Sequence, residues 1–378
     1  MRAGWCKILS VTNQAFSLPP KAAGARPIGV LLLNLGTPAA PETPEVRAYL
    51  REFLSDPRVI DINPLGRWLL LNLVILPFRP AKSAAAYKAV WMKEGSPLLV
   101  YSRALQQGVQ SALDVRNPDK FVVRLAMRYG QPSIDSVLTE LLKQDLERLI
   151  VLPLFPQYSS AASGSALQRA LGKIAESWNV PTVQTIDPFY DAPEFINSFR
   201  DVAAPLLKEF AADHVLFSYH GLPERHVKKS DTTGSHCLAT PECCNTICPA
   251  NRFCYRAHCV ATTNALVTAL GLAPDLCSYS FQSRLGRTPW IKPYTDLVLP
   301  QLAAKGIKRL AVLSPSFVAD CLETVEEIGI RAQEQWKSLG GNELMLIPSL
   351  NAHPTWVNGV ANMVVARCTP MPASAHLE

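Results

Sequence analysis

The sequence predicts an α/β protein built from two similar doubly wound, Rossmann-like domains, with parallel sheets and one ligand cleft at the carboxyl ends of their strands. Short apolar runs that each end at Gly, Pro or Ser are typical of fully buried strands. Amphipathic stretches separate the runs, as expected where helices connect parallel strands. The second and fourth runs resemble each other, which indicates two related halves. The runs are IGVLLLNLGTP (28–38), RLIVLPLFPQYS (148–159), HVLFSYHGLP (214–223) and RLAVLSPSFVAD (309–320).

The length of the chain sets its domain organisation. Its 378 residues suit two domains at a usual size of roughly 100 to 200 residues each. We place the first domain at 28–195 and the second at 196–349. We expect an N-terminal tail over 1–27 and, over 350–378, a helix that packs back across the domains, followed by a tail.

Composition limits the classes of function. Hydrophobic residues make up 48% and charged residues 18% of the chain, which excludes a disordered protein. The net charge of +6 comes without a long Lys/Arg run, so we expect no nucleic-acid partner. The charge suits an anionic ligand or a lipid surface, or reflects ordinary scatter in composition. The N-terminus lacks the apolar core of a secretory signal, so we expect a cytoplasmic protein, with an organelle transit peptide as the alternative.

His220 is the first candidate for chemistry. It directly follows a predicted strand and precedes Gly221, so it lies where ligands bind in parallel sheets, beyond the carboxyl ends of the strands. There a neutral imidazole can accept a proton or bind a metal. The alternative is a hydrogen-bonded structural histidine.

A carboxylate stripe is the second candidate. A helix starting near Asp320 places Asp320, Glu323 and Glu327 on one face, while Glu326 points elsewhere. Clustered carboxylates attract divalent cations and raise one another's proton affinity. The alternative is a solvated helix face with Asp320 as N-cap and Glu327 paired with Arg331.

The segment PLGRWLLLNLVILPFRP (64–80) forms an apolar lip. Its apolar centre, Leu69 to Leu76 with only Asn72 interrupting, is shorter than the roughly 20 residues that cross a bilayer, so a span is not expected. Basic residues flank it, as in segments that enter a membrane interface or cover an apolar ligand. A buried core helix is the alternative reading of the same pattern.

Several motifs together resemble the signature segments of the ferrochelatase family, in family order over about 28–365. They are VLLLNLGTP, WMKEGSPLLVYS, MRYGQPSI, LPLFPQYS, SYHGLPERHV, FQSRLGRTPWIKPYTD and SPSFVADCLETVEEIG. The resemblance implies two chelatase-type α/β domains with the active-site cleft for the porphyrin between them. It also implies insertion of Fe2+ into protoporphyrin IX and release of two pyrrole protons to give haem. Fe2+ and the porphyrin are then the substrates.

The resemblance also implies roles for single residues. His220 matches the family's essential histidine and Glu323 its essential acid. We expect His220 to accept protons, and Glu323 with Glu327 to form a carboxylate path for metal or protons; a histidine that holds the metal together with Glu323 is the alternative. Where many eukaryotic members have a histidine two residues before the acid, this chain has Cys321.

Further positions resemble the family's porphyrin pocket. The lip would cover the porphyrin and face the membrane that supplies it, which implies peripheral membrane association. Whether the chain forms a homodimer is left open. The expected substrate-binding residues are Arg128, Tyr129, Tyr158, Trp290, Leu70 and Leu73.

The insert at 230–259 holds six of the chain's ten cysteines. In a reducing compartment such a group is better explained by a metal or iron-sulfur site than by disulfides. Many members of the family carry a 2Fe-2S cluster, but those of animals bind it chiefly through a C-terminal cysteine group, which this chain lacks. We expect a 2Fe-2S cluster here, with zinc or unligated thiols as alternatives. The expected ligands are Cys237, Cys244, Cys248 and Cys254, with Cys243 and Cys259 as alternates.

Two other functions fit the same fold. A cobalt or nickel chelatase of cobalamin or sirohaem-type synthesis would take a substrate with many carboxylates and need a cationic mouth, whereas this lip is apolar with few arginines. A coproporphyrin III ferrochelatase stays an alternative. A non-catalytic haem-binding or iron-sensing protein would not need His220 with Glu323.

Overall fold

A computed structural model describes residues 26–286 and 288–368. The predicted N-terminal tail lies outside the described residues except for residues 26 and 27, and so does the chain after residue 368.

Two four-stranded parallel sheets form the two halves of the chain, which confirms the predicted fold class. The strands are β1 (Ile28–Thr37), β2 (Phe121–Gly130), β3 (Arg148–Pro153), β4 (Val183–Thr185), β5 (His214–His220), β6 (Cys277–Gln282), β7 (Arg309–Leu313) and β8 (Glu343–Leu346). The first sheet has the order β2-β1-β3-β4 and the second β6-β5-β7-β8, so both halves share one topology.

Helices connect the strands and cover both sheets. They are α1 (Thr43–Ser55), α2 (Pro64–Leu69), α3 (Leu76–Val90), α4 (Pro97–Arg116), α5 (Ile134–Leu141), α6 (Ser165–Ala175), α7 (Pro193–Phe210), α8 (Glu224–Lys229), α9 (Tyr255–Ala269), α10 (Thr295–Ala304), α11 (Gln333–Ser338) and α12 (Pro354–Ala366). Three π-helical segments (Leu70–Ile75, Ser160–Gly164 and Leu322–Ala332) and a 3-10 turn (Pro274–Leu276) complete the described elements.

Local sequence explains where these elements begin. The run of β1 is apolar on both faces and is almost wholly buried, as a central parallel strand requires. Ser96 and Ser133 each accept a hydrogen bond from a backbone N–H in the first turn of α4 and α5. Such side chains satisfy amide groups that the helix itself leaves unpaired.

The largest core lies between the two halves. It contains Val30 of the first sheet, Phe217 of the second and Trp356 of α12 in one cluster of buried side chains. α12 packs against α4 and α7. The outer faces of the two sheets have separate, smaller cores.

The lip belongs to a longer helix than the sequence pattern indicated. Helical structure runs without a break over Pro64–Val90, because Pro77 lies in the first turn of α3 and Pro80 is accommodated within it. Among the described residues, this 27-residue stretch is the one helix long and apolar enough to cross a membrane by length and composition. One such helix is by itself weak evidence for a span, and the expectation that the lip does not cross a membrane stays a prediction.

Candidate active site

His220 is the last residue of β5 and is half-buried. Its Nδ1 lies 2.6 Å from the carbonyl oxygen of Gly221. Because a carbonyl can only accept, Nδ1 carries the proton, and Nε2 keeps a free lone pair. The rings of Trp290 and Phe317 flank the imidazole at centroid distances of 6.4 and 6.3 Å.

Gln282 connects the end of β5 to the candidate acid. It pairs with His220 in the register of β5 and β6, and the Gly221 N–H donates to its carbonyl oxygen at 2.9 Å. A Cβ on Gly221 would lie 2.8 Å from that oxygen, so a larger residue would disturb the approach. The Gln282 side chain donates to the carbonyl oxygen of Glu323 at 2.7 Å, which fixes the start of the following helix beside β5.

The carboxylates lie on a π-helix rather than on an α-helix. Glu323 and Glu327 belong to the segment Leu322–Ala332, whereas Asp320 precedes it and is buried. The Asp320 carboxylate accepts hydrogen bonds from Thr324, Ser349 and Asn351, so its role is structural. The expected three-carboxylate stripe is therefore reduced to two.

The wider turn of the π-helix also changes the ion pairing. Arg331 donates to both carboxylate oxygens of Glu326, at 2.8 and 2.9 Å and five residues away, and lies 3.9 Å from Glu327. Five residues is also the spacing of the backbone hydrogen bonds in a π-helix. Glu327 accepts hydrogen bonds from the Ser283 N–H and hydroxyl at 2.9 and 2.5 Å.

Sequence reasoning missed the surroundings of Glu323. Burial raises the pKa of both Tyr49 and Tyr87 well above the usual value, and the nearby Glu323 carboxylate adds to the shift. Burial lowers the pKa of Arg79 on the lip helix, while the charge of Glu323 acts in the opposite direction. Burial, and then Glu323, likewise raise the pKa of Cys321. Arg79 was noted in the sequence only as a flanking charge.

Arg128 and Tyr129 are organised by Asp56, which follows α1. The Asp56 carboxylate accepts from Arg128 at 2.7 Å, from the Tyr129 hydroxyl at 2.9 Å and from Ser165 at 2.5 Å. Burial acts to raise the pKa of Asp56, but these hydrogen bonds and the Arg58 amide hold it below its usual value. No local pattern pointed to Asp56, because its partners are 72 to 109 positions away in the sequence.

Tyr129 also lies where the two halves meet. It is fully buried in a cluster with Tyr49, Tyr87 and residues of the lip, and Leu322 of the second half packs against that cluster. The carboxyl end of β2 and the start of the π-helix therefore meet at one place.

The remaining predicted pocket residues differ in their contacts and in their exposure. The Tyr158 amide donates to Nδ1 of His258 at 3.1 Å, and the Tyr158 ring lies 5.2 Å from Phe253. The Trp290 indole N–H donates to the carbonyl of Leu285 at 2.9 Å. On the lip, Leu73 is 60% exposed and Leu70 is half-buried.

Four thiols of the cysteine-rich insert lie together and are buried. The sulfurs of Cys243 and Cys244 are 3.6 Å apart, and Cys254 is near enough to Cys237 and Cys244 to affect the pKa of both thiols. The sulfur of Cys248 instead lies 3.8 Å from Nε2 of His236. Cys259 is fully buried in α9.

Two of these sulfurs accept hydrogen bonds, but the thiols are not arranged as a metal-binding site. Arg256 donates to the sulfur of Cys244 at 3.2 Å and the Leu238 N–H to that of Cys243 at 3.3 Å. Burial is the main cause that raises the pKa of Cys237, to about 11, so its thiol stays protonated at neutral pH. Within the described ranges, no group of three or more His, Cys, Asp or Glu side chains is already arranged to hold a metal ion.

Comparison with known proteins gives consistent matches over most of the chain. The family model described as ferrochelatase matches residues 27–368. A ferrochelatase of Coxiella burnetii is 52% identical over 336 residues, which are 89% of this chain and 92% of the relative. A ferrochelatase of Legionella pneumophila is 49% identical over 89% of this chain and 98% of its own length. Among solved structures, SirB from Bacillus subtilis with Fe3+ is 11% identical with a TM-score of 0.49, covering 90% of this chain and 94% of that chain, a likeness that carries no functional argument.

Proposed function

The chain belongs to the ferrochelatase family, and from this premise we propose how its residues carry out the reaction. It is an enzyme that inserts Fe2+ into protoporphyrin IX to form haem. The metal replaces the two pyrrole N–H protons, so the site needs a base beside the ring and a polar route for a dication.

His220 is the proposed base. The observation that carries this proposal is the hydrogen bond from Nδ1 to the Gly221 carbonyl, which leaves Nε2 as a proton acceptor. Trp290 and Phe317 keep the imidazole between aromatic rings, as expected beside an apolar macrocycle.

Glu323 and Glu327 are the proposed path for Fe2+ or for the released protons. Carboxylate oxygens are suitable ligands for a transient dication, and both residues lie on one helix that Gln282 anchors beside His220. Glu326 is not included, because Arg331 neutralises it.

The proposed porphyrin contacts come from both halves of the chain. Arg128, with Tyr129 behind it, would approach from the first half, and Trp290 from the second. Tyr158 and the lip residues Leu70 and Leu73 would complete the pocket. Support comes from the shared cluster in which Tyr129, the lip and Leu322 meet.

A metal-insertion assay tests the function and the base together. Purified enzyme is given Fe2+ with either protoporphyrin IX or coproporphyrin III, and haem formation is followed. We expect turnover with protoporphyrin and, for His220→Ala, a loss of about a hundredfold or more with porphyrin binding retained. His214→Gln, at the opposite end of the same strand, is the control. Retention of more than about a tenth of the activity in His220→Ala would overturn the role of the base.

We also propose that the enzyme is cytoplasmic and peripherally attached to a membrane through the lip. Seven exposed apolar side chains on or beside α2 and α3 support this: Ile62, Leu65, Trp68, Leu69, Leu73, Val74 and Phe78. Such a patch suits an interface that supplies an apolar substrate. Analytical ultracentrifugation of the full chain tests whether it forms a homodimer, which the sequence leaves open.

We further propose a 2Fe-2S cluster in the insert. A set of four buried, neighbouring thiols with Arg256 and a backbone amide donating to the sulfurs fits such a cluster, because donors to sulfur stabilise thiolates. Cys237, Cys244 and Cys254 keep their predicted role. Cys243 replaces Cys248 as the fourth ligand, because its sulfur contacts that of Cys244. When bound, the cluster would cross-link the insert.

Iron and sulfide analysis tests the proposed cluster. Anaerobically purified protein is expected to be red-brown, with about two iron and two sulfide per chain. Cys243→Ser should lose the iron and the colour, whereas Cys248→Ser should keep them. Colourless protein with stoichiometric zinc would refute the cluster, and iron loss in Cys248→Ser alone would refute the revised ligand set.

A further inference from the structure

Asp61 links the two halves of the chain beside the cleft. It lies between α1 and α2, at the base of the lip, and its side chain is only 10% exposed. Its carboxylate accepts hydrogen bonds from two basic side chains of α8 in the second half, and a histidine of the same helix lies beside it. Arg225 donates to Oδ1, Lys229 donates to Oδ2 at 2.5 Å, and Nε2 of His226 lies 3.0 Å from Oδ1.

On the side of the first half, the Asp61 segment is fixed to the lip helix. The Arg67 side chain donates to the carbonyl oxygens of Ile60 and Ile62, at 3.3 and 3.2 Å. Asn63 caps α2 by accepting from the Gly66 N–H at 2.8 Å. A displacement of Asp61 would therefore move the start of the lip helix with it.

On the side of the second half, α8 is fixed to the candidate base. It begins four residues after His220. The Glu224 N–H donates to the Pro289 carbonyl at 3.0 Å, and the Ile291 N–H to the Leu222 carbonyl at 2.9 Å. These bonds join α8, the segment after His220 and the Trp290 loop into one unit.

The charge of Asp61 keeps this contact between the halves in place at physiological pH. Burial acts to raise the pKa of Asp61, but hydrogen bonds from Lys229 and Arg225 outweigh it and hold the value at about 2. The carboxylate is therefore ionised at any physiological pH. Arg225 and Lys229 are 37% and 64% exposed on their side chains, so salt screens part of the attraction.

We infer that Asp61 is a positioning residue that holds the apolar lip closed over the porphyrin cleft at a fixed distance from His220. The lip helix is exposed along much of its length. The contacts of Asp61 with α8 connect the start of this helix directly to the half that carries His220, Glu323 and Glu327. The inference rests on the proposed location of the cleft. Opening this connection should speed exchange of porphyrin and haem without altering the chemistry at His220.

Asp61→Asn tests the inference, because it keeps the size of the side chain and removes its charge. The control is Glu147→Gln, whose carboxylate also binds two basic residues, Lys120 and Arg148, but within the first half. We expect Asp61→Asn to raise the KM for porphyrin and the rate of haem dissociation about tenfold, with kcat not reduced. Hydrogen exchange should accelerate over 62–76 in this variant and not in the control.

The outcomes distinguish failure of the proposed function from failure of the proposed role of Asp61. A wild-type enzyme without metal insertion would refute the proposed function, while hydrogen exchange would still test the connection through Asp61. Equal KM, haem dissociation and hydrogen exchange in Asp61→Asn and Glu147→Gln would overturn the inference. A fall in kcat at unchanged KM would also overturn it, because it would place the effect in the chemistry.

Discussion

Single residues at this site depend on partners that are far away in the sequence. Nε2 of His220 is free because Nδ1 is bound to the next carbonyl, a local arrangement. Glu323, in contrast, is placed by Gln282, which is 41 positions away. His220 could be predicted because its position after an apolar run marks the end of a strand. Gln282, Asp56 and Asp61 could not, since a single polar residue at the end of an element or between elements shows its partners only once the chain has folded.

The two acids that differ in environment give a direct test at this scale. We expect Glu323→Gln to lower kcat for metal insertion by about a hundredfold, because the amide is a poor acid, base and metal ligand. Glu326→Gln should stay within about twofold, since it removes only a pair with the exposed Arg331. Steady-state insertion of Fe2+ by both variants measures the difference. Equal losses would show that the two side chains share one role.

At the scale of elements, the sequence indicated the central strands and missed the edges. The four apolar runs became β1, β3, β5 and β7, which occupy the two inner positions of each sheet. β4 and β8 are short and only partly buried, so their sequences lack a continuous apolar run. The sequence predicts the acidic segment as an α-helix, because a π-helix has no distinct apolar pattern. That Glu326 pairs with Arg331, five residues away, is shown only by the structure.

The lip offers neighbouring leucines with opposite environments. We expect Leu73→Asp to weaken binding to liposomes and to protoporphyrin by roughly tenfold or more, because this side chain is 60% exposed on the proposed contact surface. The Tm should stay close to that of the wild type. Leu70→Asp should act in the same direction with some loss of stability, since Leu70 is half-buried.

Leu71→Asp is the control for this surface. Leu71 is 3% exposed and packs in the cluster with Tyr49 and Tyr129. An aspartate there would lower the free energy of unfolding by about 3 kcal/mol, because it buries an unpaired charge. Liposome flotation together with thermal unfolding separates the two effects. A large fall in Tm for Leu73→Asp would instead assign that face to the core.

At the scale of the whole molecule, the two halves share a topology but meet through different groups. A Cβ on Gly36 would lie 1.7 Å from the Tyr129 carbonyl, and one on Gly221 would lie 2.8 Å from that of Gln282. Each half thus ends its first strand at a glycine that lies close to the neighbouring strand. Internal similarity in the sequence predicted this repetition. The contacts between the halves could not be predicted from this internal similarity. Asp61 and Arg225, for example, are 164 positions apart and do not belong to the repeated segments.

The contact of Asp61 with α8 makes the free energy of unfolding depend on pH within a defined acidic range. The pKa of Asp61 is lowered from 3.8 to about 2 by Lys229 and Arg225, against the effect of burial. A carboxyl whose pKa is lower in the folded state stabilises the fold at any pH above its unfolded value. That stabilisation is lost as the pH falls from about 4 to about 2, and it amounts to roughly 2 kcal/mol.

Asp61→Asn lacks this contribution at every pH, so its deficit against the wild type should depend on pH. We expect a free energy of unfolding roughly 2 kcal/mol below that of the wild type near neutral pH, with the deficit shrinking below about pH 4. Urea unfolding at a series of pH values, followed by tryptophan fluorescence, measures it. His226 faces the same carboxylate. Burial lowers the pKa of His226 while Asp61 acts to raise it, so Asp61→Asn also changes the titration of His226. A deficit that stays constant down to about pH 3 would show that Asp61 stabilises the protein through packing rather than through its charge.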